Sequence, residues 1–331
     1  MERVETGLKH HILKNHIIVA LLFVLSLWFI VQLREILVIL FMGYILMVAL
    51  LPYVEFLVKH KIPRALAAGI VYFVVLAVVA LLIVPLIPFF STQFQSLIRS
   101  FPAYLNGILK LLRVEMNPSQ IQAFIVSQLN AIGSSAFAVT GAILGTVFST
   151  FLVFVISFYL TLDYERMKRE LSLLFPKNQK EKMMDILMQV EDKLGAWFRG
   201  QIVLCFSIGL LTWIALSIIN FPFALPLALL AGLLEIIPTI GPILSAVPAA
   251  IVALSISPGM TFLVILIYIG IQALENNLFV PKIMQRAVGL NPILIIIGIS
   301  VGATLMGIIG ALLSIPFIAM LIIIIRNISE E

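Results

Sequence analysis

Between Gln201 and Pro281 the chain carries two charged side chains, Glu235 and Glu275, and no basic one. In an apolar medium an unpaired carboxylate is expensive, so each of these residues needs a partner or a ligand. The same region also breaks its own helices. "GLLEIIPTIGPILSAVP" (232–248) places Pro238, Gly241 and Pro242 just after Glu235, and Glu275 opens "ENN" (Glu275, Asn276, Asn277) ahead of Pro281. Broken helices at membrane depth are tolerated where they pack inside protein or line a cavity.

That the medium is lipid follows from composition. The 331 residues are 62% hydrophobic and 11% charged, whereas soluble domains carry roughly 25% charged residues. The fold expected is all-α and polytopic, with about eight membrane segments. Candidate spans are 17–33, 36–58, 65–90, 141–162, 200–219 and 260–281, with two overlong apolar stretches at 222–256 and 292–325. As one straight helix the second stretch would reach roughly 51 Å against ~30 Å of hydrocarbon. It is therefore either strongly tilted or folded as a hairpin, with Gly302, Gly307, Gly310 and Pro316 as candidate hinge and packing positions.

Basic residues orient the chain. Segment 1–16 has three Lys/Arg, 59–64 has three and 163–199 has eight, while the turn near 220 has none. This alternation places the N-terminus in the cytoplasm. If 222–256 enters and leaves on one face, Lys282 and Arg286 are cytoplasmic, and a second hairpin at 292–325 leaves Arg326 inside. The organisation expected is 1–90 as transmembrane helices 1–3, 91–140 as extracytoplasmic amphipathic helices and 141–162 as helix 4. A charged cytoplasmic helical hairpin follows at 163–199, then a C-terminal transport region at 200–326. Within the charged hairpin, Asn178 and Glu181 form a candidate capping box.

The inventory does not suit an enzyme. All four histidines (His10, His11, His16, His60) precede the third span, and there is no HExxH motif and no GxxxxGK[ST] loop. Neither catalysis nor nucleotide hydrolysis by that loop is expected, and no metal or cofactor beyond a coupling Na+ or H+. The formal charge of +5 sits in loops beside spans, where orientation accounts for it, so nucleic acid is not an expected partner. The expected partners are the lipid bilayer, a small polar solute or monovalent cation, and further copies of the chain in a homo-oligomer.

Intramembrane carboxylates default to ion or proton sites. Glu235, Glu275, Asn276 and Asn277 are therefore the transport and ion-binding candidates, with Pro238, Gly241, Pro242 and Pro281 shaping the breaks. A plainer alternative pairs Glu275 with Lys282 and lets Glu235 accept freed backbone N–H groups. "IGPILSAVP" (240–248) is echoed by "IGALLSIP" (309–316), and broken segments at corresponding positions point to a site between repeats. Two other functions stay open: a scaffold presenting 163–199 to a partner, and a passive channel.

"LLEIIPTIGPILSAVPAAIVAL" followed by "IQALENNLFVPKIMQRAVGLNPILIIIGISVGATLMGIIGALLSIPFIAML" resembles the autoinducer-2 exporter family, the PerM-like permeases. The resemblance extends to "LLPYVEFLVKHKIPRALAAGI" in the first half. It implies a prokaryotic inner-membrane transporter of about eight spans that exports autoinducer-2 in some members and exchanges sodium for protons in others.

Overall fold

The structure is a computed structural model and describes residues 24–26, 28–29, 31–81, 136–176, 178–237, 240–284 and 292–329. The expected span 17–33 lies mostly outside these residues. Nearly all of the expected amphipathic segment 91–140, together with Pro238 and Arg286, lies outside them as well.

The described residues are helical, with no strand among them. Helix α1 (Arg34–Lys59) turns at Lys61, whose φ is 67°, into α2 (Arg64–Leu81). Helix α3 (Ala136–Leu162) is bent by 72° from α4 (Tyr164–Leu173). Helix α5 (Lys180–Ile218) is the longest at 39 residues. The short α6 (Ala224–Leu234) and α7 (Ile240–Ile256) follow it. Helix α8 (Pro258–Leu274) runs through a π turn at Glu275–Phe279 into α9 (Val280–Met284), and α10 (Pro292–Ser329) ends the chain. Among the described residues five helices are long and apolar enough to cross a membrane, or six if the bent α3–α4 pair counts as one span.

Helix α10 is not straight. Met306 (φ −142°) and Gly307 (φ 62°) leave helical geometry, and the two arms fold back on each other. A methyl group on Gly310 would strike the Gly302 carbonyl, one on Gly302 would strike the Gly310 carbonyl, and one on Gly298 would strike Ile318. Residues on opposite arms meet in antiparallel order, which only a hairpin allows. Glycine at 302 and 310 lets the backbones touch, and Gly307 supplies the left-handed tip.

The first overlong stretch also doubles back. Helices α6 and α7 pack against each other, and both lean on neighbours through small residues. A Cβ on Gly232 would lie 2.8 Å from the Cys205 carbonyl of α5. The echo between the two stretches is structural too. Four residues after buried Gly241, buried Ser245 donates to the Pro242 carbonyl (2.9 Å), and four after Gly310, Ser314 donates to the Ala311 carbonyl (2.6 Å).

Helix α5 ties the molecule together, packing on α1, α4, α6, α8, α9 and α10. Pro52 has no N–H to give the Val48 carbonyl. Arg199 of α5 fills the gap, with Nη1 3.1 Å from the Ala49 carbonyl and 3.5 Å from that of Val48. Nearby, Glu191 is buried and accepts from Tyr164 (2.7 Å) and Tyr44 (3.2 Å), while Lys168 pairs with it at 3.3 Å. That carboxylate clamps α1, α4 and α5 together. On the far side, Arg64 donates to the Thr161 carbonyl at the α3–α4 bend (2.9 Å), and Tyr72 of α2 bonds both Ser157 and Thr161 of α3. The expected capping box is not formed: Gln179 is the N-cap of α5 and makes no side-chain cap bond. The two tyrosines and Lys168 draw the N-terminal part of α5 onto α1 and α4 instead.

Replacing Glu191 with Leu strands two tyrosine hydroxyls and the Lys168 ammonium in a largely buried setting. Breaking a buried pair from one side costs about 3 kcal/mol or more. The expected result is a clear drop in the thermal unfolding midpoint of the detergent-purified variant. An unchanged midpoint would show that the clamp carries no stability.

Candidate functional site

The site begins with the way α6 ends. Its last turn tightens, with Ile236 N–H donating to Leu233 (3.3 Å) and Ile237 N–H to Leu234 (3.0 Å), and the Gly241 N–H then donates to Ile237 (2.9 Å) as α7 starts. A Cβ on Gly241 would strike the Leu234 carbonyl and lie 2.9 Å from the Glu235 nitrogen. Any larger residue there would force this tip open.

At this tip Glu235 is 0% exposed, and neither of its carboxylate oxygens meets a hydrogen-bond donor. Its partner comes from another helix. Glu275, the first residue of the π turn, is 3% exposed, and its carboxyl group interacts directly with that of Glu235. Gln272 donates to Glu275 Oε2 at 2.9 Å. From α5, Gln201 donates its Nε2 to the Glu235 backbone carbonyl at 2.6 Å, leaving its own Oε1 buried without a donor.

The arrangement is rich in acceptors and short of donors. Among the described residues neither glutamate makes an ion pair, so the expected alternative of Glu275 held by Lys282 is not the arrangement found. Nor does Glu235 collect freed backbone N–H groups. Two like charges about 4 Å apart repel by ~4 kcal/mol at an effective dielectric near 20, before desolvation is counted. Two carboxyl groups in contact hold together once a proton or a cation lies between them, and taking up or releasing one such charge is the chemistry this geometry allows.

The structure thus brings together Glu235, Glu275 and the Gly241 tip. Pro242 is half-buried in the first turn of α7. It does not bring in the two asparagines. Asn276 and Asn277 are exposed, the first accepting from Gln272 (3.5 Å) and the second donating to the Ala273 carbonyl (2.8 Å). Successive side chains on a helix point roughly 100° apart, so with Glu275 inward the next two face outward. Pro281 is exposed in α9. The second hairpin approaches through an apolar cluster in which Ile237 joins Ile299, Ala311, Leu313 and Ile315, with Leu204 of α5. Among the described residues no three His, Cys, Asp or Glu side chains converge on a metal-binding geometry.

Sequence reasoning missed Gln201 and Glu191. Gln201 looks like the polar boundary of a span, and Glu191 is one charge among many in 180–199. A polar residue on the apolar stripe of α5 was the available signal for each.

Residues 17–330 match the model of the family described as AI-2E family transporter. YrrI of Bacillus subtilis is 28% identical over 288 residues, covering 82% of this chain and 80% of that protein. YueF of the same organism is 26% identical over 282 residues, covering 80% and 76%. The AI-2 transport protein TqsA of Escherichia coli is 24% identical over 291 residues, covering 85% and 83%.

Proposed function

Because this multi-pass membrane chain belongs to the AI-2E transporter family, we propose that it is a secondary transporter coupled through the Glu235–Glu275 pair. Its cargo is a small polar solute of the autoinducer-2 kind, or Na+ exchanged for H+, and the driving ion is Na+ or H+. The carrying observation is Glu235, fully buried with two carboxylate oxygens and no donor. A structural carboxylate would be bonded, and this one is left for something that comes and goes.

The rest of the reading follows from the sequence. The protein lies in the plasma membrane with its N-terminus in the cytoplasm, as the Lys/Arg distribution supports, and assembles as a homo-oligomer. The charged segment 163–199 gives little support to a scaffold function, since Glu191 and Lys168 are spent inside the fold on Tyr44, Tyr164 and each other.

The test reconstitutes the purified protein in proteoliposomes and imposes Na+ or H+ gradients in turn, following labelled autoinducer-2 and labelled sodium. A several-fold change in the initial rate of one cargo under one gradient is expected. Flux of both cargoes that ignores both gradients overturns the proposal, and currents above any carrier turnover would make the protein a channel.

A further inference from the structure

Helix α3 stays apolar as far as Leu162, and after Asp163 the chain turns by 72° into α4. Spanning helices tilt by about 20° on average from the bilayer normal, so α4 runs along the membrane surface and the inner side of the elbow faces the bilayer. Tyr159, one turn before Asp163, is 63% exposed, as suits an aromatic residue at the headgroup level. At the far end of α4, Leu173 and Leu174 are 77% and 75% exposed. An apolar pair on a surface helix whose other face is held by buried Tyr164 and Ser172 belongs in the acyl boundary.

The elbow carries a groove of about 490 Å³, with Leu160, Met167 and Leu171 as apolar walls and Asp163, Arg166 and Glu170 as polar ones. Two carboxylates against one guanidinium leave a negative charge over. Glu170 Oε1 accepts from Arg166 Nε at 2.8 Å with both side chains well exposed, a surface pair weak enough for a ligand to share. Asp163 is exposed, and among the described residues it makes no ion pair and not even the side-chain cap bond its place before α4 invites.

An anionic headgroup meets like charge here, and a wholly apolar ligand leaves Asp163 bare. A headgroup with both an ammonium and a phosphate answers both halves of the rim, since N–H donors on a cation bond carboxylates and a guanidinium bonds phosphate, each with charge assistance. A trimethylated ammonium carries the same charge but has no N–H to donate. We propose that the inner side of the α3–α4 elbow seats one phospholipid of the phosphatidylethanolamine kind, its ammonium on Asp163 and Glu170, its phosphate on Arg166 and its acyl chains along the exposed α3 flank at Phe148 and Phe151. The seat does not depend on the coupled-transport reading. It bears on the fold, because α4 also carries Tyr164 and Lys168 to Glu191.

The experiment titrates the purified full-length protein in mild detergent with phosphatidylethanolamine, phosphatidylcholine or phosphatidylglycerol of identical acyl chains. Two readouts are taken, the unfolding midpoint and the lipid retained in native mass spectra. Phosphatidylethanolamine should raise the midpoint and remain as one bound molecule, and the other two should do so only at several-fold higher concentration, because a ligand that binds the folded state stabilises it. Asp163→Asn keeps the shape and removes the unpaired charge. It should raise the half-saturating phosphatidylethanolamine concentration by about five-fold or more and erase the preference over phosphatidylcholine. Should that variant fail to fold, Arg166→Gln tests the phosphate side at an exposed position and should weaken all three lipids together.

A third measurement places the elbow. Leu174→Cys in a Cys205→Ser background, labelled with a fluorophore in nanodiscs, should be quenched by lipids brominated high on the acyl chain. Absence of quenching would mean that the elbow does not face the bilayer, and the proposal fails. Equal responses to phosphatidylethanolamine and phosphatidylcholine in the wild type would reduce the seat to ordinary annular lipid, and a preference for phosphatidylglycerol would contradict the charge argument. An unchanged phosphatidylethanolamine response in folded Asp163→Asn would overturn the headgroup assignment.

Discussion

Glu235→Gln is expected to reduce gradient-driven flux in proteoliposomes to the level of empty vesicles, while the variant still purifies as a folded protein. The amide has nearly the shape of the carboxylate it replaces, so the tip at Gly241 is not disturbed. What changes is charge. The substitution removes one of two like charges that repel each other in a buried setting. The unfolding midpoint should therefore stay level or rise. That combination, lost transport with stability kept or gained, is the signature of a functional carboxylate. Wild-type flux in Glu235→Gln would take the residue out of the mechanism, and a marked fall in the midpoint would give it a structural role.

The second large effect is structural. Gly310→Leu should abolish recovery of folded protein, because its side chain would have to occupy the space of the Gly302 carbonyl and lie within 2.8 Å of Met306 Cβ. Overpacking a yielding core costs typically 1–3 kcal/mol, and here the opposing atom is backbone with nowhere to move. Gly270→Ala in α8 is the matched control, since a Cβ there meets nothing within 4 Å. Gaining Ala in a helix is worth roughly 0.5–1 kcal/mol, so that variant should be as stable as the wild type or slightly more so. Size-exclusion yield and unfolding midpoints of the two decide the matter. Normal recovery of Gly310→Leu would mean that the arms of α10 do not touch.

How much of this was legible in the sequence depends on what each residue had to contrast with. Glu235 and Glu275 stood out because the surrounding lipid-like stretch holds no other charge. The breaks showed because Pro and Gly act locally, through a missing N–H or a missing Cβ. Whether 292–325 tilts or folds back was not legible, because it turns on Met306 and Gly307 leaving helical geometry and on carbonyls meeting at Gly302 and Gly310, contacts that span distance and leave no periodic mark. The placement of the asparagines was not legible for a related reason. Adjacency to Glu275 suggested a shared task, but successive side chains on a helix point roughly 100° apart, and Asn276 and Asn277 fall on the exposed side. Glu191 was hidden by its neighbours, since a buried charge reads like a solvated one among Lys180, Glu181, Lys182, Asp185, Asp192 and Lys193.

The length of α5 has a mechanical meaning. It is unbroken from Lys180 to Ile218, and Glu191 pins it to α1 and α4 between its Lys180 end and Gln201. At 1.5 Å per residue the two arms about that pin are nearly equal, roughly 16 Å to Lys180 and about 15 Å to Gln201. Arg199 ties the same helix to α1 a second time, two residues before Gln201. The bond from Gln201 to the Glu235 carbonyl therefore hangs on a rod anchored at two points, and the tip of the first hairpin keeps its place only as well as those two anchors hold.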